Sequence, residues 1–134
     1  MTATKKRLLA AVLLAALIVV LGQWALRYYY HPARGNPPQG VVILTTQWCP
    51  YCQALRKQLQ AWNVPYREYD VENGWANFWR HRASGEWGIP VTYVGNRKIY
   101  GFDLQGIAMA LNGSGYAIDM PQTNRATSQG QQTD

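Results

Sequence analysis

Cys49-Pro50-Tyr51-Cys52 stands between a short apolar run, Val41 to Leu44, and an apolar stripe at Leu55, Leu59 and Trp62. A continuous apolar run of this length, opening after Gly40, reads as a strand buried on both faces. The i, i+4, i+7 stripe reads as an amphipathic helix. A strand therefore delivers Cys49 to the start of a helix. There, unpaired backbone N–H groups and the helix dipole favour negative charge, and so the thiolate, the reactive form of cysteine. Cys52 follows one helical turn later, where its sulfur can reach Cys49 and close a small disulfide ring. Pro50 falls in the first turn, where its missing N–H costs nothing. The chain has two cysteines, which excludes a multi-disulfide scaffold and any all-cysteine zinc or iron–sulfur site within one chain. Redox chemistry is the favoured reading, with Cys49 attacking and Cys52 resolving. The alternatives are a passive disulfide, a poor staple over so short a loop, and half of a metal site, for which only His31 and His81 remain as further imidazoles.

The pattern continues downstream. Asn63 can end the first helix, and Val64 is pushed out of the helical region by Pro65. Tyr66 to Val71 reads as a second strand with weaker alternation. Trp75, Phe78 and Trp79, at i, i+3 and i+4, predict a second helix. Val91–Val94 and Arg97–Tyr100 flank Gly95-Asn96, a two-residue hairpin signal. Asp103 is suited to cap a last helix, with Leu104, Ile107, Ala108 and Leu111 as its buried stripe and Gly113 as its stop. The order is βαβαββα over residues 40–112, an α/β domain. Trp75, Phe78, Trp79 and Trp87 are expected to cover the sheet; the alternative is an exposed aromatic patch for a protein partner. Arg80, His81 and Arg82 read as a solvated helix face.

Ahead of this unit, Lys5, Lys6 and Arg7 precede 19 uncharged residues, Leu8 to Leu26, whose only polar side chain is Gln23. As a helix this run is about 28 Å long, close to the hydrocarbon thickness of a bilayer. Trp24 and Tyr28 to Tyr30 cluster at its far end, as aromatic residues do at a membrane interface. The layout read from the chain is a basic N-terminus (1–7), a transmembrane anchor (8–30), a linker rich in Pro and Gly (31–39), the domain (40–112) and a disordered tail (113–134). A cleaved signal peptide is the competing reading, though no A-x-A site precedes Trp24. The basic flank places the N-terminus in the cytoplasm and the domain on the periplasmic or other extracytoplasmic side. The net charge of +6 splits as +5 over residues 1–39, +2 over 40–112 and −1 over 113–134. The basicity belongs to the leader, which argues against a nucleic-acid groove.

Trp48-Cys49-Pro50-Tyr51-Cys52 after a strand, with Ile89-Pro90 and Gly101-Phe102-Asp103 downstream, resembles the glutaredoxin family of the thioredoxin fold, over residues 40–112. The resemblance implies a three-layer thioredoxin-like domain, which here follows the transmembrane helix read from the apolar run. It implies that Cys49 is the nucleophile, forming a mixed disulfide that Cys52 resolves. Pro90 is expected to be cis and to pack beside the cysteines, so that backbone near Ile89 pairs with substrate. The implied substrate surface is Trp48, Pro50, Tyr51, Ile89, Pro90, Gly101, Phe102 and Asp103, with no bound cofactor and no metal. Glutathione is an optional co-substrate. Two departures bear on it: Tyr100-Gly101 replaces the family's double glycine, and Thr46 stands where many members carry Lys or Arg. Trp48 and the Gly-Phe-Asp segment resemble short thioredoxin-like glutaredoxins that accept electrons from a protein. Asp103 is then either a helix cap or a ligand. The expected function is a membrane-tethered thiol–disulfide oxidoreductase acting on protein thiols and disulfides near the membrane, or on glutathione. The alternatives are a non-catalytic adaptor docking an envelope partner and, more remotely, an iron–sulfur glutaredoxin in which two chains each give Cys49.

Overall fold

The structure, a computed structural model, describes residues 2–119. Eight elements follow in order: α1 (Ala3–Tyr30), β1 (Val41–Thr45), α2 (Pro50–Ala61), β2 (Arg67–Asp70), α3 (Trp75–Ser84), β3 (Val91–Val94), β4 (Arg97–Tyr100) and α4 (Leu104–Gly113). After α1 the order is the βαβαββα expected. The four strands form one sheet in the order β2-β1-β3-β4, with β1 parallel to β2 and antiparallel to β3. β1 is central, which explains why its sequence is apolar without alternation: every residue of it is buried. Its two faces serve different layers. Val41 and Ile43 meet Leu55 and Leu59 of α2 and Ile107, Ala108 and Leu111 of α4. Val42 and Leu44 meet Val91, Tyr93 and Ala33 on the opposite face, the side of α3. β2, an edge strand, is only partly covered, hence its weaker alternation.

Three expectations need correction. Residues 31–39, expected as a semi-stiff linker, also make contacts with the sheet. Ala33 is 3% exposed in the second core, the His31 ring lies 5.6 Å from that of Tyr93, and Asn36 donates to the Gly95 carbonyl at 3.1 Å. The prolines that signalled a stiff spacer instead lay the segment along the sheet. At the other end the packed unit passes residue 112. Ile118 is buried in the main core, and Asn112 clamps it through bonds to its carbonyl (3.0 Å) and N–H (2.7 Å). One isoleucine held by one asparagine leaves no periodic trace in a sequence. Gly113 is the last residue of α4 rather than its stop, and the left-handed turn falls at Gly115, φ +99°. The remainder of the expected tail, residues 120–134, lies outside the described residues.

The third correction is α3. It buries only Ala83 and Ser84. Trp75, Phe78 and Trp87 do not cover the sheet; they are exposed. Nor are its polar residues simply solvated. His81 Nε2 bonds with the Gly88 carbonyl at 3.1 Å, and the Arg80 and Arg82 guanidinium groups stack over Tyr69 and Trp87 at 4.4 and 4.6 Å. α1 is 28 residues long and buries none of them, and its apolar core has a mean hydropathy of 2.5, enough in length and composition to cross a membrane. Its last turns, at Gln23, Leu26 and Arg27, lie against α3 and the loop that follows.

Candidate active site

The sheet register gathers the site at one end. Leu44 pairs with Val91, so Pro90 lies opposite the last residue of β1. Val91 also pairs with Tyr100, and the Gly101 N–H donates to the Pro90 carbonyl at 2.9 Å. The C-terminal ends of β1 and β4 thus meet the N-terminal ends of α2 and α4. The Ile89–Pro90 peptide bond is cis, as expected.

Cys49 is the N-cap of α2, in extended conformation, with Pro50 in the first turn. The Cys52 N–H, one of the donors the helix leaves unpaired, points at Cys49 Sγ at 3.4 Å. Cys52 is fully buried and Cys49 is 5% exposed, both as free thiols. Burial, followed by a hydrogen bond to Cys49, pushes the Cys52 thiol up from 9.0 to about 12. A backbone hydrogen bond from Thr46 and the Arg56 charge pull weakly the other way. Cys52 is therefore stored as a thiol in the reduced protein.

The rim is aromatic. Tyr51 and Phe102 are exposed and their rings lie 6.0 Å apart, which brings the start of α2 against the 101–103 segment. Gly101 takes φ +78°, a conformation that favours glycine, to make that turn. Asp103 caps α4, its Oδ1 accepting from the Gly106 N–H at 2.9 Å. Trp48 is 67% exposed, and its indole donates to Glu72 Oε2 at 2.9 Å, so it leans toward the loop after β2. Tyr100 is also exposed, and its hydroxyl lies where a side chain at Gly88 would have to stand.

Sequence reasoning missed the group behind the cysteines. Arg56 of α2 pairs with Glu68 of β2 at 2.6 Å and donates to the Thr46 carbonyl at 2.9 Å, while Thr45 also donates to Glu68. Burial works against the Glu68 charge, but the bonds from Arg56 and Thr45 outweigh it and hold its carboxyl below the ordinary 4.5. Arg56 thus ties the strand end that leads to Cys49 to the helix that carries Cys52. The i, i+1 and long-range spacing of these residues carries no motif, so no sequence signal could have found them. Thr46 is buried, and the nearest guanidinium is already committed to Glu68. Neither histidine joins the cysteines by any bond described: His81 holds Gly88, and His31 faces Tyr93. Among the described residues no cluster of three or more His, Cys, Asp or Glu is placed to hold a metal ion.

A buried thiol one turn from a helix-capping thiol, on a thioredoxin-like sheet beside a cis-proline, defines a protein of the thiol-redox class. The comparisons agree and narrow it. Residues 41–99 match the glutaredoxin family. The solved structures it resembles include a buckwheat glutaredoxin in complex with glutathione (TM-score 0.54, 18% identity, 71% of this chain and 94% of that one). A poplar glutaredoxin in its holo form (Populus tremula x tremuloides) gives a TM-score of 0.54 at 19% identity, over 67% of this chain and 97% of that one. A thioredoxin-like protein gives 0.52 at 23%, over 55% and 96%. At these identities the likeness concerns the fold. Among curated proteins, none matches this chain in sequence.

Proposed function

We propose that this protein is a membrane-tethered thiol–disulfide oxidoreductase working through Cys49 and Cys52. The observation that carries the reading is the Cys52 N–H directed at Cys49 Sγ at 3.4 Å, with Cys52 itself sealed from solvent. The Cys49 thiolate attacks one sulfur of a substrate disulfide; that S–S bond breaks, a Cys49 mixed disulfide forms, and one substrate thiolate leaves. Cys52 then attacks Cys49 Sγ. Its proton passes to the departing second substrate sulfur, and the Cys49–Cys52 disulfide remains. Two electrons have moved to the substrate, and the reverse sequence donates the disulfide.

Trp48, Tyr51 and Phe102 form the exposed apolar rim on which a substrate chain rests, and Pro50, Ile89, Pro90, Gly101 and Asp103 shape the floor and far wall. Protein substrates fit this rim better than glutathione. Position 46 offers no cation to a glutathione carboxylate, and Arg56 is held by Glu68. Asp103 spends one carboxylate oxygen on its own helix, which leaves the second for a ligand amine. Glutathione binding, seen in the buckwheat relative, is accordingly proposed here only as a weaker co-substrate interaction.

α1 supports a tether, with the N-terminus in the cytoplasm and the domain outside. The substrate is then a protein held near that membrane face. The test is a pair of substitutions. Cys49→Ser should abolish disulfide exchange, and Cys52→Ser should accumulate mixed disulfides on non-reducing gels. Full complementation of a deletion strain by the Cys49→Ser/Cys52→Ser double variant would instead leave the domain a docking role.

A further inference from the structure

α3 and the loop after it carry an aromatic surface that the proposed mechanism does not use. Trp75, Phe78 and Trp79 form one ring cluster on α3, with centroids 5.3 to 6.3 Å apart. Trp75 is 69% exposed and Trp87, at the end of the following loop, 84%. Soluble surfaces rarely leave so much indole uncovered in one place. The stripe does not end in water at its other side. Trp79 and Arg82 of α3, together with Trp87, border the groove formed with Gln23, Leu26 and Arg27 of α1. The helix face that meets the anchor is therefore continuous with the face that carries Trp75.

The depth of that contact identifies the occupant. Gln23, Leu26 and Arg27 are where the uncharged run of α1 ends and charge resumes. If α1 spans a bilayer, that point is the boundary between acyl chains and headgroups. Trp79, Arg82 and Trp87 border that point, which places the second half of α3 and the loop after it near the boundary, with Trp75 one turn away. Its chemistry suits the place. Indole rings prefer the interface, where one edge is apolar and the N–H is wet. α3 carries Arg80, His81 and Arg82 and no acid, while Arg27 and Arg34 stand on the neighbouring turns and Arg34 stacks over Tyr28 and Tyr29 at 4.6 and 5.2 Å. The acid near the groove, Glu86, is neutralised by Lys98 at 2.6 Å. Aromatic rings flanked by guanidinium groups match the headgroup region of an anionic lipid surface.

We infer that the α3 face, with Trp75, Phe78 and Trp87, is a lipid seat: the domain lies against the membrane surface on α3 and does not swing free of its anchor. This rests on the membrane tether proposed above and adds that the domain's orientation on the bilayer is fixed. The seat acts together with the 31–39 segment, which is tied to the sheet through Ala33 and Asn36.

The experiment uses the full chain in vesicles of phosphatidylcholine and phosphatidylglycerol, with either plain or brominated acyl chains. Bromine quenches indoles that reach the acyl boundary. Trp24→Phe removes the anchor's own reporter. In that background the remaining emission should still fall in brominated vesicles by about a third, because two or three of its five indoles sit at the boundary. Adding Trp75→Phe and Trp87→Phe, both mild changes at exposed positions, should remove at least half of that quenching. If the Trp24→Phe protein and the triple variant are quenched alike, the seat is refuted, and the aromatic face meets water or a protein. If the unsubstituted chain shows no quenching attributable to Trp24, the tether itself fails.

Discussion

Cys52 offers the most direct test of how the site stores its reactivity. Its pKa of about 12, against 9.0 for an ordinary thiol, lowers the thiolate fraction at pH 8 from about one in ten to about one in ten thousand. Alkylation of Cys52 by iodoacetamide should therefore run about a thousandfold slower than that of an unperturbed thiol at the same pH. Burial is the larger cause of the shift, and it survives when Cys49 has been capped first. The assay is peptide mass spectrometry on reduced full-length protein, following Cys52 after Cys49 is modified.

The pH profile separates two origins of slowness. If the folded thiolate reacts, the rate climbs about tenfold per pH unit up to about pH 11. If the site must open before reagent enters, the opened thiol titrates near 9.0 and the rate levels off there. A plateau near pH 9, or a rate at pH 8 within about tenfold of a free thiol, would refute the assignment of Cys52 as a thiol held protonated by its burial. The same shift bears on stability. A group whose pKa is higher folded than unfolded stabilises the fold below the unfolded value. Reduced protein should accordingly lose stability as pH rises from 9.0 towards 12.

Two further predictions concern the frame around the site. Arg56→Ala removes the pair with Glu68 and the bond to Thr46, and should cost about 2 kcal/mol in urea denaturation at neutral pH. Because Glu68 titrates below its ordinary 4.5, its share is complete above that value and fades as pH falls through the lower, folded one. The gap between Arg56→Ala and the unsubstituted protein should shrink as the pH is taken below 4.5, and an unchanged gap down to acid unfolding would remove Glu68 from the account. Ala33→Asp would place a carboxylate among Val42, Leu44, Val91 and Tyr93, and should destabilise by about 2 kcal/mol or more. A neutral effect in the same denaturation would leave residues 31–39 a linker without a share in the core.

What could be read from the chain follows from what periodicity records. Val41–Leu44, the Leu55–Leu59 stripe and the Ile107–Leu111 stripe face a core made of their own kind, and so burial imprints a period that survives in one dimension. Cys49, Cys52 and Asp103 were legible for a related reason, since each acts on a neighbour a few residues away; Pro90 was legible only through the family resemblance. The Arg56–Glu68–Thr46 tie and the Trp48–Glu72 bond join distant segments through single polar contacts, which leave no period to detect.

α3 misled for a more instructive reason. Trp75, Phe78 and Trp79 recur at helical spacing, and the inference from spacing to core assumes that an apolar face must be covered by protein. The sheet beneath α3 is already closed by Tyr93, Ala33 and Val91, and only Ala83 and Ser84 are needed to meet it. The aromatic period therefore records a second surface, and its continuity with the end of α1 says where that surface lies. An amphipathic pattern fixes that a helix has an apolar side; only the packing of its neighbours decides whether that side faces a core or something outside the chain. Here the segment from His31 to Gln39 ties the anchor to β3 through Tyr93, to the turn after it at Gly95, and to Tyr116 beyond α4.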